Sequence, residues 1–445
     1  MELIALSELS YTERKSIAKR HNNPKILCEL AESKVSDIRK EVAGNPNTTF
    51  EIFKKLMKDT EPEVRIAVAY NVSTTMEMLM TLAKDVNPNV RAAVANNSSV
   101  SNKILLQLAE DRDKTVRLTV AHRDNLSENI IEKLAIDEDF GVVSAIAEKK
   151  NLSEEILLKL SKCRHCNIKL NLAKSSTVSS IVLDSLAKDD AWEVRKAVAL
   201  NAATAIETLE RLAKGSYSAV RIAIATNPNT TSELLAFLGK DIATQVRIAV
   251  AENPNTSVEI LKSFTKDPIE EVRVAVAKNP NSTAEILKLL AKDGEEKVKL
   301  AVAKNPNTPA EILNIFLGDG EWCYEDVKVA VAGNPNATAD TLLLLANDIE
   351  SQIRYMVAEN TETPDEILEV LSEDEDADVR VAVAENSNTT LKILKSLSED
   401  EYWSVRLAVA KHPNTSKDML IKLLVFDGDN DVCEAAKERL REIMS

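Results

Sequence analysis

Apolar residues along the chain recur on one template. In Val246-Arg247-Ile248-Ala249-Val250-Ala251 the residues Val246, Ala249 and Val250 fall at i, i+3 and i+4, the spacing of one helix face. Glu252-Asn253-Pro254-Asn255-Thr256 follows. The same string returns as Val272 to Ser282 and again as Val298 to Thr308, 26 residues further each time. A second apolar stripe follows each one, with Ile260, Leu261 and Phe264 in one copy and Ile286, Leu287 and Leu290 in the next. Each unit therefore predicts two helices. The first is short enough to be partly 3₁₀. Asn-Pro-Asn stops it, because Pro cannot continue the hydrogen-bond ladder. Thr or Ser then predicts the N-cap of the second helix. Thr48/Glu51, Thr256/Glu259 and Thr308/Glu311 have capping-box spacing, and Pro309 falls at the first helical position.

The basic position marks the register: Arg39, Arg65, Arg91, Arg117, Val143, Lys169, Arg195, Arg221, Arg247, Arg273, Lys299, Lys328, Arg354, Arg380 and Arg406. Only the step from Lys299 to Lys328 departs from 26 residues. One short helix pair cannot bury its own apolar face, so the pairs must stack. The pattern predicts an all-α fold, a right-handed α-solenoid of about 17 helical-pair repeats running through residues 1–445 as a single continuous array. Residues 1–33 read as a degenerate N-terminal cap, with Arg14 an early copy of the basic position. Residues 137–176 read as degenerate repeats, 318–326 as an inserted loop, and 427–445 as a C-terminal capping helix.

The pattern D-x5-R, then A-V-A-x-N-P-N-T, then E-I-L-x-x-L-A resembles HEAT-like α-solenoids, and among them the leucine-rich variant (LRV) repeats. The resemblance implies that an Asp and an Arg or Lys six residues apart bond across neighbouring layers. The matching pairs include Asp59/Arg65, Asp85/Arg91, Asp241/Arg247 and Asp374/Arg380. It also implies that the second helices line the concave face. The iron–sulfur cysteine cluster of the variant family has no counterpart here, since only Cys28 lies near the start, so no cofactor carries over.

Composition narrows the function. Hydrophobic residues make up 44% of the chain and aromatics 4%, which suits closely packed short helices of Ala, Val, Leu and Ile. The formal charge of −15 argues against a protein that simply coats nucleic acid. The five Cys are too dispersed for a disulfide framework, and no signal peptide or membrane-length apolar run appears, so the expectation is a reduced, cytoplasmic protein without membrane contact. The chain has only four His, none at metal-ligand spacing, and no Gly-rich phosphate loop, GxSxG or HExxH. No catalytic residue, cofactor or metal is predicted. Cys163-Arg164-His165-Cys166 has CxxC spacing, but no second such pair exists to complete a zinc site.

The Arg and Asn ladders read as structure. Binding candidates lie elsewhere. Lys58, Lys84, Lys162, Lys188, Lys214, Lys240, Lys266 and Lys292 precede the repeat Asp, with further cations such as Lys54, Lys55, Lys133, Lys159, Arg211, Lys262 and Lys288 on the same helices. Beyond residue 300 this slot becomes Gly318, Asn347, Glu373 and Glu399. Cations suit helix C-termini, but a dipolar cause alone would act in every repeat, so the change implies a polarised surface. Acidic pairs such as Glu270 and Glu271 edge the loops between repeats. Trp192, Tyr217, Trp322, Tyr324, Tyr402 and Trp403 occupy equivalent inter-repeat loops and are candidate hot spots. The leading expectation is a non-catalytic protein–protein interaction scaffold with an elongated concave surface. The alternative is a nucleic-acid-binding HEAT-like protein related to DNA repair, using a Lys-lined groove. A lyase or cofactor chaperone is a third class without specific support. The sequence leaves the partner, curvature and oligomeric state open.

Overall fold

The protein is described here from a computed structural model, which places residues 6–318 and 324–444. Among these residues the regular structure is entirely helical. The fold is an α-solenoid of helix pairs. The chain divides into two compact units, Met1–Leu212 and Ala213–Ser445.

The first helix of each repeat is a true α-helix, usually of nine residues, as in Pro62–Tyr70, Thr244–Glu252 and Glu270–Lys278. The expected 3₁₀ character is absent there; a 3₁₀ turn appears instead at Asn314–Leu317. The first helices bury their Val and Ala positions, Val246, Val250 and Ala251 completely. Each fully buried Val contributes about 1.5–3 kcal/mol. Asn253 ends its helix in extended backbone (φ −70°, ψ 127°), the conformation that a following Pro imposes.

The second helices are mostly of seven residues, as in Phe50–Leu56, Val258–Phe264 and Ala284–Leu290. Their N-caps lie one residue later than the spacing suggested. Thr49 and Ser257 hold the cap positions, and Pro309 is an N-cap (ψ 153°) rather than the first helical residue. Thr48, Thr256 and Thr308 turn inward. Their buried hydroxyls donate to the carbonyls of Val42, Val250 and Val302 at 2.5, 2.5 and 2.6 Å. Each carbonyl also accepts the N–H of the Asn that ends the helix, as Val250 does from Asn253 at 3.2 Å, so the Thr hydroxyl is a second donor that locks the turn against the first helix. A full capping box forms at Ser10 and Glu13.

Within each unit the first helices pack closely on the first helices of adjacent repeats, as Pro62–Tyr70 does on Pro88–Asn96. Small residues such as Ala69 and Ala95 permit this approach. The second helices contact first helices on either side and mostly stand apart from one another. The first helices are therefore the crowded layer. The Lys-bearing second helices form the looser layer. At the end of the second unit, the 15-residue helix Asn430–Met444 packs against Trp403–Lys411 and Lys417–Phe426, burying Val432, Ala436 and Leu440.

Candidate binding surface

Two ladders tie the repeats together and consume most of the regular charge. Nearly every repeat Arg reaches forward to the Asp of the next repeat, 20 residues on; Arg406 reaches Asp427 at 21, and the slot ahead of Arg195 holds Gly215. Arg39 Nε and Nη2 donate to the Asp59 carboxylate at 2.6 and 2.8 Å; Arg247 bonds Asp267 at 2.7 and 3.1 Å, and Arg380 bonds Asp400 at 2.7 and 3.1 Å. The remaining arm turns back to the backbone carbonyl of the Asp six residues earlier, as Arg65 Nη1 does to Asp59 at 2.7 Å. The six-residue pairs are therefore joined through the main chain, and the carboxylate bond runs to the following layer. Burial pushes the Asp59 carboxyl up, but hydrogen bonds from Arg39 and the Glu61 N–H outweigh it and hold the group below the usual carboxylate range. Lys replaces Arg in the pairs Lys169–Asp189 and Lys328–Asp348.

The second ladder is built from buried Asn amides. Asn71 Nδ2 donates to the carbonyls of Ala43 and Asn45, both at 2.9 Å, while its Oδ1 accepts the Ser73 N–H at 2.9 Å. His412 takes the same slot near the end of the chain. Its Nε2 lies 3.1 Å from the Asn386 carbonyl, and its Nδ1 accepts the Asn414 N–H at 3.1 Å. Burial lowers its pKa, so the ring is held neutral, with the Nε2–H tautomer fixed by these two bonds.

The degenerate region keeps the logic of the ladders with altered parts. Val143 takes the cation slot and is fully buried, and the carboxylate slot 20 residues on is the buried Cys163. Both charges are lost together, so neither is buried alone. Arg123 and Lys149 replace the Asn. Arg123 Nη1 still donates to Ala95 and Asn97 carbonyls at 2.6 and 3.0 Å, and Lys149 Nζ to the Arg123 carbonyl at 2.7 Å. These chains are longer than Asn and offer no oxygen to the turn. The turn opens, and Asn151 adopts left-handed backbone (φ 58°). Clefts of about 780 and 510 Å³ flank the Lys149 turn, both bordered by Glu148 and Asn151. Burial lowers the Lys149 pKa against the opposing charge of Asp124. In the CxxC stretch, burial pushes the Cys163 thiol up, which disfavours a reactive thiolate. His165 packs edge-on against Phe140 with ring centroids 5.6 Å apart. Among the described residues no cluster of three or more metal-ligating side chains occurs.

The candidate Lys residues 58, 84, 162, 188, 214, 240, 266 and 292 are all exposed at the ends of second helices. Their row is interrupted by Glu110 and Ile136, which occupy the same slot. Lys188 bonds Asp184 at 2.9 Å. Other cations on the second helices are paired across repeats: Lys55 with Glu32, Lys133 with Glu110, Lys159 with Glu132 at 2.6 Å, and Lys262 with Glu285 at 2.7 Å. Such exposed pairs add at most about 1 kcal/mol each, but they disperse the positive field.

The aromatic candidates start first helices. Tyr217, Tyr324 and Tyr402 are N-cap residues, and Trp192 and Trp403 are first helical residues. Trp322 lies outside the described residues. Ladder cations of the preceding repeat lie over two of the rings: Arg380 is 5.3 Å from the Tyr402 centroid, and Lys299 is 5.6 Å from that of Tyr324. These Tyr rings therefore cover the ladder edge, though Tyr402 and Trp403 both stay about half exposed.

Sequence reasoning passed over the residue after each ladder cation. In the second unit these are Ile222, Ile248, Val274, Leu300, Val329, Tyr355, Val381 and Leu407, all half-buried on the outward side of first helices. The signal was present in the alternation V-R-x-A-V-A, whose x is repeatedly aliphatic.

No protein-family profile matches the chain. No curated protein sequence matches it. Similar solved structures include a leucine-rich repeat variant with a novel repetitive structural motif, 23% identical over 59% of this chain and 87% of that one, with a TM-score of 0.33. Importin beta is 12% identical over 98% of this chain and 75% of that one, with a TM-score of 0.32. A mutant of Kap121p is 12% identical over 98% and 50%, with a TM-score of 0.26. No helix among the described residues is long and apolar enough to cross a membrane.

Proposed function

We propose that the chain is a non-catalytic, cytosolic protein-interaction scaffold presenting an elongated repeat surface. One observation carries this reading. The Asp, Arg and Asn that recur in nearly every repeat are bonded between layers, as Arg39 to Asp59 and Asn71 to Asn45, so they build the stack and are not free to bind. What remains outward are positions that differ from repeat to repeat, which is how one regular scaffold acquires a specific surface. The Lys row supports nucleic acid less well, because Glu110 and Ile136 break it and neighbouring cations are paired.

The test pairs two measurements on the full chain. Cross-linking in native extract, followed by reconstitution from purified components, is expected to give a stoichiometric protein complex. Gel-shift titration with a 30-base-pair duplex and a 30-nucleotide single strand is expected to give no complex at low salt. Nucleic-acid binding that weakens steeply with salt, with no reconstituted protein complex, overturns the reading.

A further inference from the structure

The outward face of each first helix in the second unit has three rows, three and four residues apart. In one repeat they are Glu271, Val274 and Lys278; in the next, Lys297, Leu300 and Lys304. The central row is the aliphatic stripe from Ile222 to Leu407. In the first unit the same row is broken by Ser144, Lys40 and Lys196, so a continuous stripe belongs to the second unit alone. Between Val274 and Leu300 the surface sinks into a groove of about 390 Å³ whose walls include Lys278, Lys297, Lys304 and Pro306. Lys297 bonds Glu270 at 2.6 Å, and Lys278 and Lys304 make no ion pair among the described residues.

Two repeats further the sign reverses. Glu359, Glu385 and Asp378 lie near Tyr355, and burial, with their charges, raises its hydroxyl pKa. One apolar stripe therefore runs from a basic groove to an acidic patch.

The period of the stripe selects the shape of its occupant. Stacked helices lie about 8–10 Å apart. Same-face side chains seven residues apart on an α-helix recur every 10.5 Å or so, whereas on an extended strand they recur about every 6.8 Å. A helix keeps step with the stripe over several layers and a strand does not. From Val274 to Val381 there are four steps, which a helix of about 25 residues spans.

We propose that the first-helix face around Val274, Leu300, Tyr355 and Val381 docks an amphipathic helix of a partner protein. That helix carries one aliphatic stripe, acidic residues toward the Lys278–Lys304 groove and basic residues toward Glu359 and Glu385. This rests on the scaffold reading and adds the place and chemistry of the contact. Helix-in-groove recognition of this kind takes its affinity from the apolar stripe and its orientation from the terminal charges.

Synthetic 26-residue helical peptides, binding the full chain in fluorescence anisotropy, provide the test. All share a Leu stripe. One has an acidic and a basic half, one is acidic throughout, one is basic throughout, and a fourth has the Leu positions replaced by Gln. The acidic–basic peptide is expected to bind at least about tenfold more tightly than the other three. Leu300→Glu and Val381→Glu each are expected to weaken it about tenfold. Both sites are partly exposed, and unchanged circular dichroism and melting temperature show that the chain still folds. Lys278→Glu with Lys304→Glu is expected to remove the preference over the basic peptide. Equal affinity for all four peptides, or tight binding unaffected by folded Leu300→Glu, overturns the proposal. A reconstituted protein complex that tolerates Leu300→Glu would leave the scaffold reading standing and remove this one; absence of both complex and peptide binding removes both.

Discussion

Arg65 and Asp85, twenty residues apart, are joined by parallel hydrogen bonds of 2.7 and 2.9 Å, while the other arm of the same guanidinium holds the Asp59 carbonyl at 2.7 Å. One side chain thus clamps its own loop and the next layer. Lys has no such fork.

Asp85→Ala leaves the Arg65 guanidinium buried without its carboxylate. The expected loss is about 3–5 kcal/mol in urea unfolding. The double variant Arg65→Val/Asp85→Cys, which copies the natural combination at Val143 and Cys163, is expected to lose much less. Equal losses for the single and double variants would show that the ion pair, not the stranded charge, carries the energy.

The Asn ladder makes a separate prediction. Asn279 Nδ2 donates to the carbonyls of Ala251 and Asn253 at 2.6 and 3.1 Å. Asn279→Ala strands the Ala251 carbonyl, while the Asn253 carbonyl keeps the Thr256 N–H, and is expected to cost about 1–3 kcal/mol. Hydrogen exchange should rise at the turns of residues 253–256 and 279–282 before the rest of the second unit responds.

At Lys149 the expectation has the opposite sign. Lys149→Asn restores a short amide that both donates across the layer and accepts within the turn. Relief of the left-handed Asn151 backbone is expected to stabilise the chain by about 1 kcal/mol. Slower amide exchange over residues 148–153 would accompany it; faster exchange there would show that the long side chain closes the turn better than an amide does.

His412 gives the stability a pH dependence. Its folded pKa lies below the unfolded value of about 6.5, so the unfolded chain takes up the proton first. The contribution is complete above about pH 6.5 and is lost as the pH falls below it. His412→Asn keeps the bonds without the titration. The stability difference between pH 7.5 and 5.5 is therefore expected to shrink in this variant, measured by urea midpoints.

The carboxylate ladder acts at lower pH. Asp59, Asp85, Asp111, Asp241 and Asp293 are all held below their ordinary range: burial pushes each up, but the Arg hydrogen bond, a backbone N–H and the nearby positive charges together outweigh it. Their stabilisation is present above about pH 4 and is lost as the pH falls further. Far-ultraviolet circular dichroism should show steep acid unfolding there. Retention of native helicity and melting temperature at pH 2 would contradict a structural role for the ladder.

The sequence by itself determined the repeat, its two helices, the Asn-Pro stop and the structural character of the Arg and Asn ladders. These are local or periodic properties, written in every copy. It could not choose the partner of each Arg. In a 26-residue period an Asp six residues before one Arg is also twenty residues after the previous one, so both pairings share the same spacing. Packing chose, sending the carboxylate bond forward and the carbonyl bond back. The Thr hydroxyls were similarly ambiguous, because an N-cap and an inward donor differ by one residue, and only burial of the Val250 carbonyl decides between them. The crowding of the first helices, the cleft beside Lys149 and the outward stripe through Leu300 also needed the tertiary structure. Each depends on how closely neighbouring layers approach, and that distance is set by side-chain volumes meeting across repeats.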